Sequence, residues 1–187
     1  VAEVKNGVVT AKSNGDAVIS ASYSVGGLTF SASCQVKVSK IDAIASGKCG
    51  DNLTWKLDST GTLTISGTGA MTNYNGIVLP TPWEEHKDKI TKLVIDNGVT
   101  TIGSFAFNGC RVLADVTIPD SVTNIGSCAF QSCFALTGVV IPNSVTTVSD
   151  WAFNYCISLE SVTIGSGVEN IGKIAFNGTK KLTHIDV

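Results

Sequence analysis

With 187 residues the chain can build one substantial core or two small ones, and only 15% of it is charged. A formal net charge of −2 and few, scattered lysines leave no basic footprint for nucleic acid or an anionic membrane. Val, Ile, Thr, Ser and Gly crowd the sequence and favour strands and tight turns over long helices, and no apolar run of about 18 residues exists to form a transmembrane segment. The start, "VAEVKNGVVT", has neither an initiator Met nor a signal-peptide pattern, so the chain reads as a mature segment or a cut piece.

In "DAVISASYSV" residues Ala17, Ile19, Ala21, Tyr23 and Val25 share one face, and in "LTFSASCQVKV" Leu28, Phe30, Ala32, Cys34, Val36 and Val38 do the same. Two antiparallel strands around "GG" follow from that alternation. With "NGVVTAKSNGDA" before them, residues 1–40 resemble the second half of a bacterial immunoglobulin-like domain, which implies a module that spaces others on a cell surface. Only half of such a sandwich is present, so either the upstream strands are cut away or these strands lean on the next segment or on another molecule. "SKIDAIASG", 39–47, reads as the junction.

The stretch "GKCGDNLTWKLDSTGTLTISGTGAM" alternates at Leu53, Trp55, Leu57 and again at Leu63, Ile65, which predicts a hairpin about "DSTG". It reads as a cap, so that 41–89 is junction plus N-terminal cap. "TPWEEHKDKI", 81–90, concentrates Trp83, Glu84, Glu85 and His86 and reads as a charged helical start leading into Ile90 rather than as a catalytic carboxylate pair.

From residue 90 the sequence repeats. Ala-Phe pairs fall at 106–107, 129–130, 152–153 and 175–176, each displaced by 23 residues. The same offset carries Ile95 to Ile118, Ile141, Ile164 and Val187, and Leu93 to Val116, Val139, Val162 and Ile185. It also links Leu113, Leu136, Leu159 and Leu182, and Ile102, Ile125, Val148 and Ile171. Such ladders mean stacked coils, each of which buries its apolar face only against its neighbours. Within a coil, "LADVTIP" alternates as a strand and ends at a proline, and "SCAFQSC" reads as a short helical turn on the far side. Equivalent strands about 4.8 Å apart would form one parallel sheet along one face.

The Ile-Pro, Val-x-x-Ile-Gly, Ala-Phe and Cys-x-x-Leu elements of "IPDSVTNIGSCAFQSCFALTGVVIPNSV" resemble the BspA-type leucine-rich repeats of microbial surface proteins, over residues 90–187. Gly47 to Met71 also looks like the segment that precedes such arrays. The expected fold is therefore mainly β, a short leucine-rich-repeat solenoid of about four coils plus a terminal strand, with a hairpin cap and a partial Ig-like unit. The resemblance implies a bacterial cell-surface or secreted adhesion module that contacts a protein or glycan on another cell or matrix. A passive spacer and an accessory module of an enzyme elsewhere in the chain are the alternatives.

Cys110, Cys133 and Cys156 occupy one slot of the register, with Thr179 in the fourth, and are expected to be buried free thiols. Cys34, Cys49 and Cys128 lack metal-ligand spacing, and a single Cys34–Cys49 bridge is left open. His86 and His184 sit in no catalytic pattern, so no catalytic residue, metal or cofactor is assigned. Two surfaces are candidates for partner contact. One is the column before each Ala-Phe pair, Phe105, Cys128, Trp151 and Ile174, apolar in every coil and expected to lean outward. The other is the outward strand row Val94, Thr117, Val140, Thr163 and Asp186, flanked by Lys92, Asp115, Gly138, Ser161 and His184. The last strand, "LTHIDV", has no coil to cover it, so either the natural chain continues or the molecule associates end to end.

Overall fold

The computed structural model describes the backbone of residues 2–5, 8–11, 15–38 and 42–187, and the side chains of 24–27, 33 and 42–187. The chain divides into two compact units, Val1–Asp42 and Ala43–Val187. In the first, β1 (Ala2–Lys5) pairs antiparallel with β2 (Val8–Ala11). The longer strands β3 (Gly15–Val25) and β4 (Leu28–Val38) pair antiparallel from Gly15↔Val38 to Val25↔Leu28. Gly26 and Gly27, both at positive φ, close that hairpin where the sequence placed it. The expected one-sided faces of these strands, and the Cys34 side chain, lie outside the described residues.

The second unit begins with a strand where the sequence suggested only a junction. β5 (Ala43–Lys48) pairs antiparallel with β6 (Leu53–Asp58), which pairs with β7 (Thr62–Gly67). The β6–β7 turn is the expected "DSTG", and Asp58 fixes it. Its Oδ1 accepts the N–H groups of Thr60 at 2.9 Å and Thr62 at 3.0 Å and the Thr60 hydroxyl at 2.6 Å. Leu53, Trp55, Leu57, Leu63 and Ile65 all point into the core, as the alternation requires. β7 then pairs in parallel with the first repeat strand, which makes the hairpin a cap in structural fact.

The solenoid is built from β9 (Lys92–Ile95), β11 (Asp115–Thr117), β13 (Gly138–Ile141), β15 (Ser161–Ile164) and β17 (His184–Asp186). Their register, Asp115↔Lys92 or Val162↔Val139, is the 23-residue offset of the sequence. The row is one sheet up to β11 and another from β13 onward, with an interruption between the second and third coils. A second parallel sheet, which the sequence reading lacks, joins β8 (Gly69–Ala70), β10 (Val99–Ile102), β12 (Asn124–Ile125), β14 (Thr147–Val148) and β16 (Asn170–Ile171). Its strands are mostly two residues long, too short for alternation to show.

Between the sheets the ladders fill one continuous core. Phe107, Phe130, Phe153 and Phe176 stack with ring centroids 5.3, 5.1 and 5.3 Å apart. Cys110, Cys133 and Cys156 are free and buried, as expected. The Sγ of Cys133 donates to Phe107 O at 3.3 Å, and that of Cys156 to Phe130 O at 3.2 Å. Burial pushes Cys110 and Cys156 up to about 12, and burial with the neighbouring thiols pushes Cys133 up as well. Cys49 is also a free, buried thiol.

Trp83 closes the first end of this column. The stretch 81–90 does contain a short 3-10 helix, Glu84–His86, but its tryptophan is fully buried. The indole stacks on Phe107 at 5.3 Å, with 9° between the planes, in the place a preceding phenylalanine would take. Its Nε1 donates to Ala106 O at 3.0 Å. In the following coils the same carbonyl, that of Ala129 or Ala152, accepts the backbone N–H of Phe107 or Phe130. One side chain thus replaces both the ring and the backbone donor of a missing coil.

Candidate functional site

The far side of each coil is a chain of tight turns. In the first coil, Ala106, Asn108, Cys110 and Leu113 donate to the carbonyls three residues earlier, and the second and third coils repeat the pattern. These are the expected short turns, and left-handed residues stop them from becoming a helix. Phe105, Cys128, Trp151 and Ile174 have φ of 57°, 56°, 62° and 61°. A second column four residues on, Gly109, Ser132, Tyr155 and Gly178, has φ of 73°, 60°, 57° and 75°. The left-handed turn aims N–H groups along the stack: Phe105, Phe107 and Gly109 donate to Ser127, Ala129 and Gln131 of the next coil. Inter-coil hydrogen bonding fixes a backbone that side chains ordinarily avoid.

That geometry decides where the first candidate column goes. Phe105 packs partly against the core and Cys128 is half-buried, so two of the four seal the coil edge. Trp151 is 39% exposed and Ile174 44% exposed, so the outward stripe is confined to the third and fourth coils. Tyr155, 50% exposed, extends it, and the sequence reading missed it. Its slot holds glycine in two coils and serine in another, so it interrupts a ladder instead of belonging to one. An aromatic residue off the repeat pattern is the signal that could have found it.

The strand row is also solvent-facing. Val94 is half-buried, while Thr117, Val140, Thr163 and Asp186 are exposed. Val140 and Thr163, with Asp120, Asn143, Ser166 and Asp186, line a shallow groove of about 490 Å³ floored by Ile118, Ile141 and Ile164. Lys92 Nζ pairs with Asp115 Oδ2 at 2.7 Å, and His184 Nε2 lies 3.1 Å from Asp186 Oδ1. The structure therefore does not bring the two candidate surfaces together: one lies on the strand row and the other on the far-side turns.

A third exposed feature has no counterpart in the sequence reading. The Oδ1 of Asn75 accepts the N–H groups of Ile77, Val78 and Leu79 at 3.2, 2.9 and 2.8 Å, and Asn75 N–H donates to Leu79 O at 3.2 Å. This closed loop holds Ile77 and Val78 in solvent. The residues considered for chemistry do not converge. Glu84 is engaged by Thr81 Oγ1 at 2.9 Å and Lys87 Nζ at 2.8 Å, whereas Glu85 is exposed. Among the described residues no three His, Cys, Asp or Glu side chains form a metal cluster, and no helix is long and apolar enough to cross a membrane.

Stacked parallel strands on a recurring apolar grid, with a cap that mimics the preceding coil, define a leucine-rich-repeat solenoid. Residues 85–187 match the BspA type leucine rich repeat region in six copies, so the chain belongs to that family. It is similar to a leucine-rich repeat protein from Eubacterium ventriosum, with 26% identity and a TM-score of 0.57, over 75% of this chain and 44% of that one. A leucine rich cell surface protein from Faecalibacterium prausnitzii shares the fold at 23% identity and a TM-score of 0.51, over 74% of this chain and 38% of that one. A leucine rich repeat protein from T. pallidum does so at 22% identity and a TM-score of 0.52, over 75% of this chain and 82% of that one. The chain spans less than half the length of the first two structures. No curated protein matches it.

Proposed function

We propose that this chain is a binding and adhesion module, displayed on a bacterial surface or secreted, which contacts a protein or glycan on another cell or matrix through the far-side turns. The observation that carries the reading is Trp151, a large apolar side chain left partly exposed although the slots beside it, Ala152 and Phe153, already fill the core. Exposed apolar patches of this kind mark contact sites, and tryptophan is a common anchor. The surface assignment draws on the Faecalibacterium neighbour, which is described as a cell surface protein. Binding rather than catalysis fits the scattered His86 and His184 and the engaged Glu84. On this reading residues 1–40 serve as half of an immunoglobulin-like spacer, with β3 and β4 as its two long strands.

The test is Trp151→Ser, assayed by attachment to immobilised matrix proteins, to glycans and to whole cells. Attachment should fall while the thermal unfolding midpoint stays put. Attachment at the level of the parent chain would move the contact to the strand groove, where Val140→Lys and Thr163→Lys should then abolish it.

A further inference from the structure

Tyr155 occupies a left-handed position that its counterparts fill with Gly109, Ser132 and Gly178, so neither the fold nor the core calls for an aromatic ring there. The next coil makes room for it. A Cβ built on Gly178 would stand 3.1 Å from Cδ1, 3.3 Å from Cγ and 3.4 Å from Cα of Tyr155, so the tyrosine lies against bare glycine backbone. Half of the residue remains in solvent. Trp151, four residues earlier on the same turns, is likewise held left-handed and partly exposed. Both turns are pinned to the next coil, since Trp151 N–H donates to Lys173 O at 3.0 Å and Tyr155 N–H to Asn177 O at 2.8 Å. Two aromatic side chains are thus mounted on a fixed backbone.

We propose that Trp151 and Tyr155 form a stacking platform for a pyranose ring, so that the partner of this surface is a glycan. This rests on the reading that the far-side turns are the contact surface, and it names the ligand chemistry. A pyranose offers a face of C–H bonds to the electron-rich face of an aromatic ring, while its hydroxyl groups turn outward to polar neighbours. The rim supplies them: Asp150, Lys173 and Asn177 are exposed on the same two coils. Both rings stand partly exposed on the turns, where the flat face of a ring ligand can lie against them without entering a recess. Rigid aromatics also lose little conformational freedom on binding.

The experiment uses tryptophan emission. Trp55 and Trp83 are buried, so iodide quenching reports on Trp151. The probes are soluble oligosaccharides ending in glucose, galactose, mannose or N-acetylglucosamine, titrated into the whole chain. At least one class should shield Trp151 from iodide. Tyr155→Gly, which leaves the reporter in place and installs the residue of the first and fourth coils, should weaken that shielding tenfold or more without lowering the unfolding midpoint. Tyr155→Phe, which keeps the ring, should retain it. If no saccharide shields Trp151 while Trp151→Ser still loses attachment to immobilised proteins, the glycan platform is overturned and the contact surface stands. Equal shielding in Tyr155→Gly and the parent also overturns the platform. If Trp151→Ser changes no attachment and no saccharide binds, both readings fall.

Discussion

Replacing Trp83 with Phe keeps an aromatic ring against Phe107 and deletes the indole N–H that Ala106 O accepts, so the two tasks of one side chain can be separated. Leaving a buried carbonyl without that donor should cost about 1–2 kcal/mol in urea unfolding, and Trp83→Ala, which also opens a cavity, about 3–5 kcal/mol. Equal losses would mean that the hydrogen bond contributes most of the effect. The thiol column carries a second residue-scale consequence. Burial raises Cys110 and Cys156 to about 12, while an unfolded thiol ionises near about 8.5. The folded state therefore holds protons that the unfolded chain releases first. This stability is fully present below the unfolded value and is lost as the pH climbs from there toward the folded one. Urea midpoints measured from pH 7.5 to 10 should fall. Cys133→Thr, which borrows the residue of the fourth coil, should flatten the fall, by about 1.4 kcal/mol per pH unit at the alkaline end where the unfolded thiol is fully ionised. A parallel pair of curves would show that other groups drive the alkaline loss.

At the scale of the turn, the two left-handed columns can be told apart by what a side chain costs in each. Gly109, at φ 73°, has open space where a Cβ would stand, so Gly109→Ala isolates the conformational term. It should destabilise by about 1 kcal/mol, read from the denaturation midpoint, and no loss would show that the turn relaxes to another geometry. The same columns explain what the sequence could and could not announce. Apolar slots were legible because each must be filled in every coil, so Leu113, Leu136 and Leu159 mark each other. The left-handed turns were not, because the first column holds Phe105, Cys128, Trp151 and Ile174 and no glycine, the usual mark of positive φ. Inter-coil hydrogen bonds enforce that backbone, and no local residue preference records them. Trp83 was hidden for a related reason. It stands among Glu84, Glu85 and His86, and only the fold brings it onto Phe107. For the candidate site, the sequence led to Trp151 through its repeat slot and passed over Tyr155, which has no ladder to belong to.

In a stack where each coil is covered only by its neighbours, stability should vary along the axis according to what lies on either side. The first coil meets the cap hairpin, β8 and Trp83, and its Leu93, Ile102, Phe107 and Leu113 are fully buried. In the fourth coil and the strand after it, the equivalent slots lose cover: Ile171 and Ile185 are exposed, and Phe176 and Leu182 are only partly buried. The cap also meets the outgoing carbonyls of the first coil, since Tyr74 N–H donates to Ser104 O at 2.8 Å, as Phe105 N–H does to Ser127 O. Local opening follows buried contact, so within residues 43–187 amide exchange should be slowest across β6, β7, β9 and β13 and fastest across β16 and β17. Trp83→Ala should bring a second fast-exchanging end at β10 and the turn after it, while the exchange of β13 changes little, because coupling passes from neighbour to neighbour. Hydrogen exchange resolved by peptide would read both gradients. Uniform protection from β9 to β17, or loss of protection everywhere at once in Trp83→Ala, would show that the array opens as a single unit, with the cap holding all of it and not only the coil it touches.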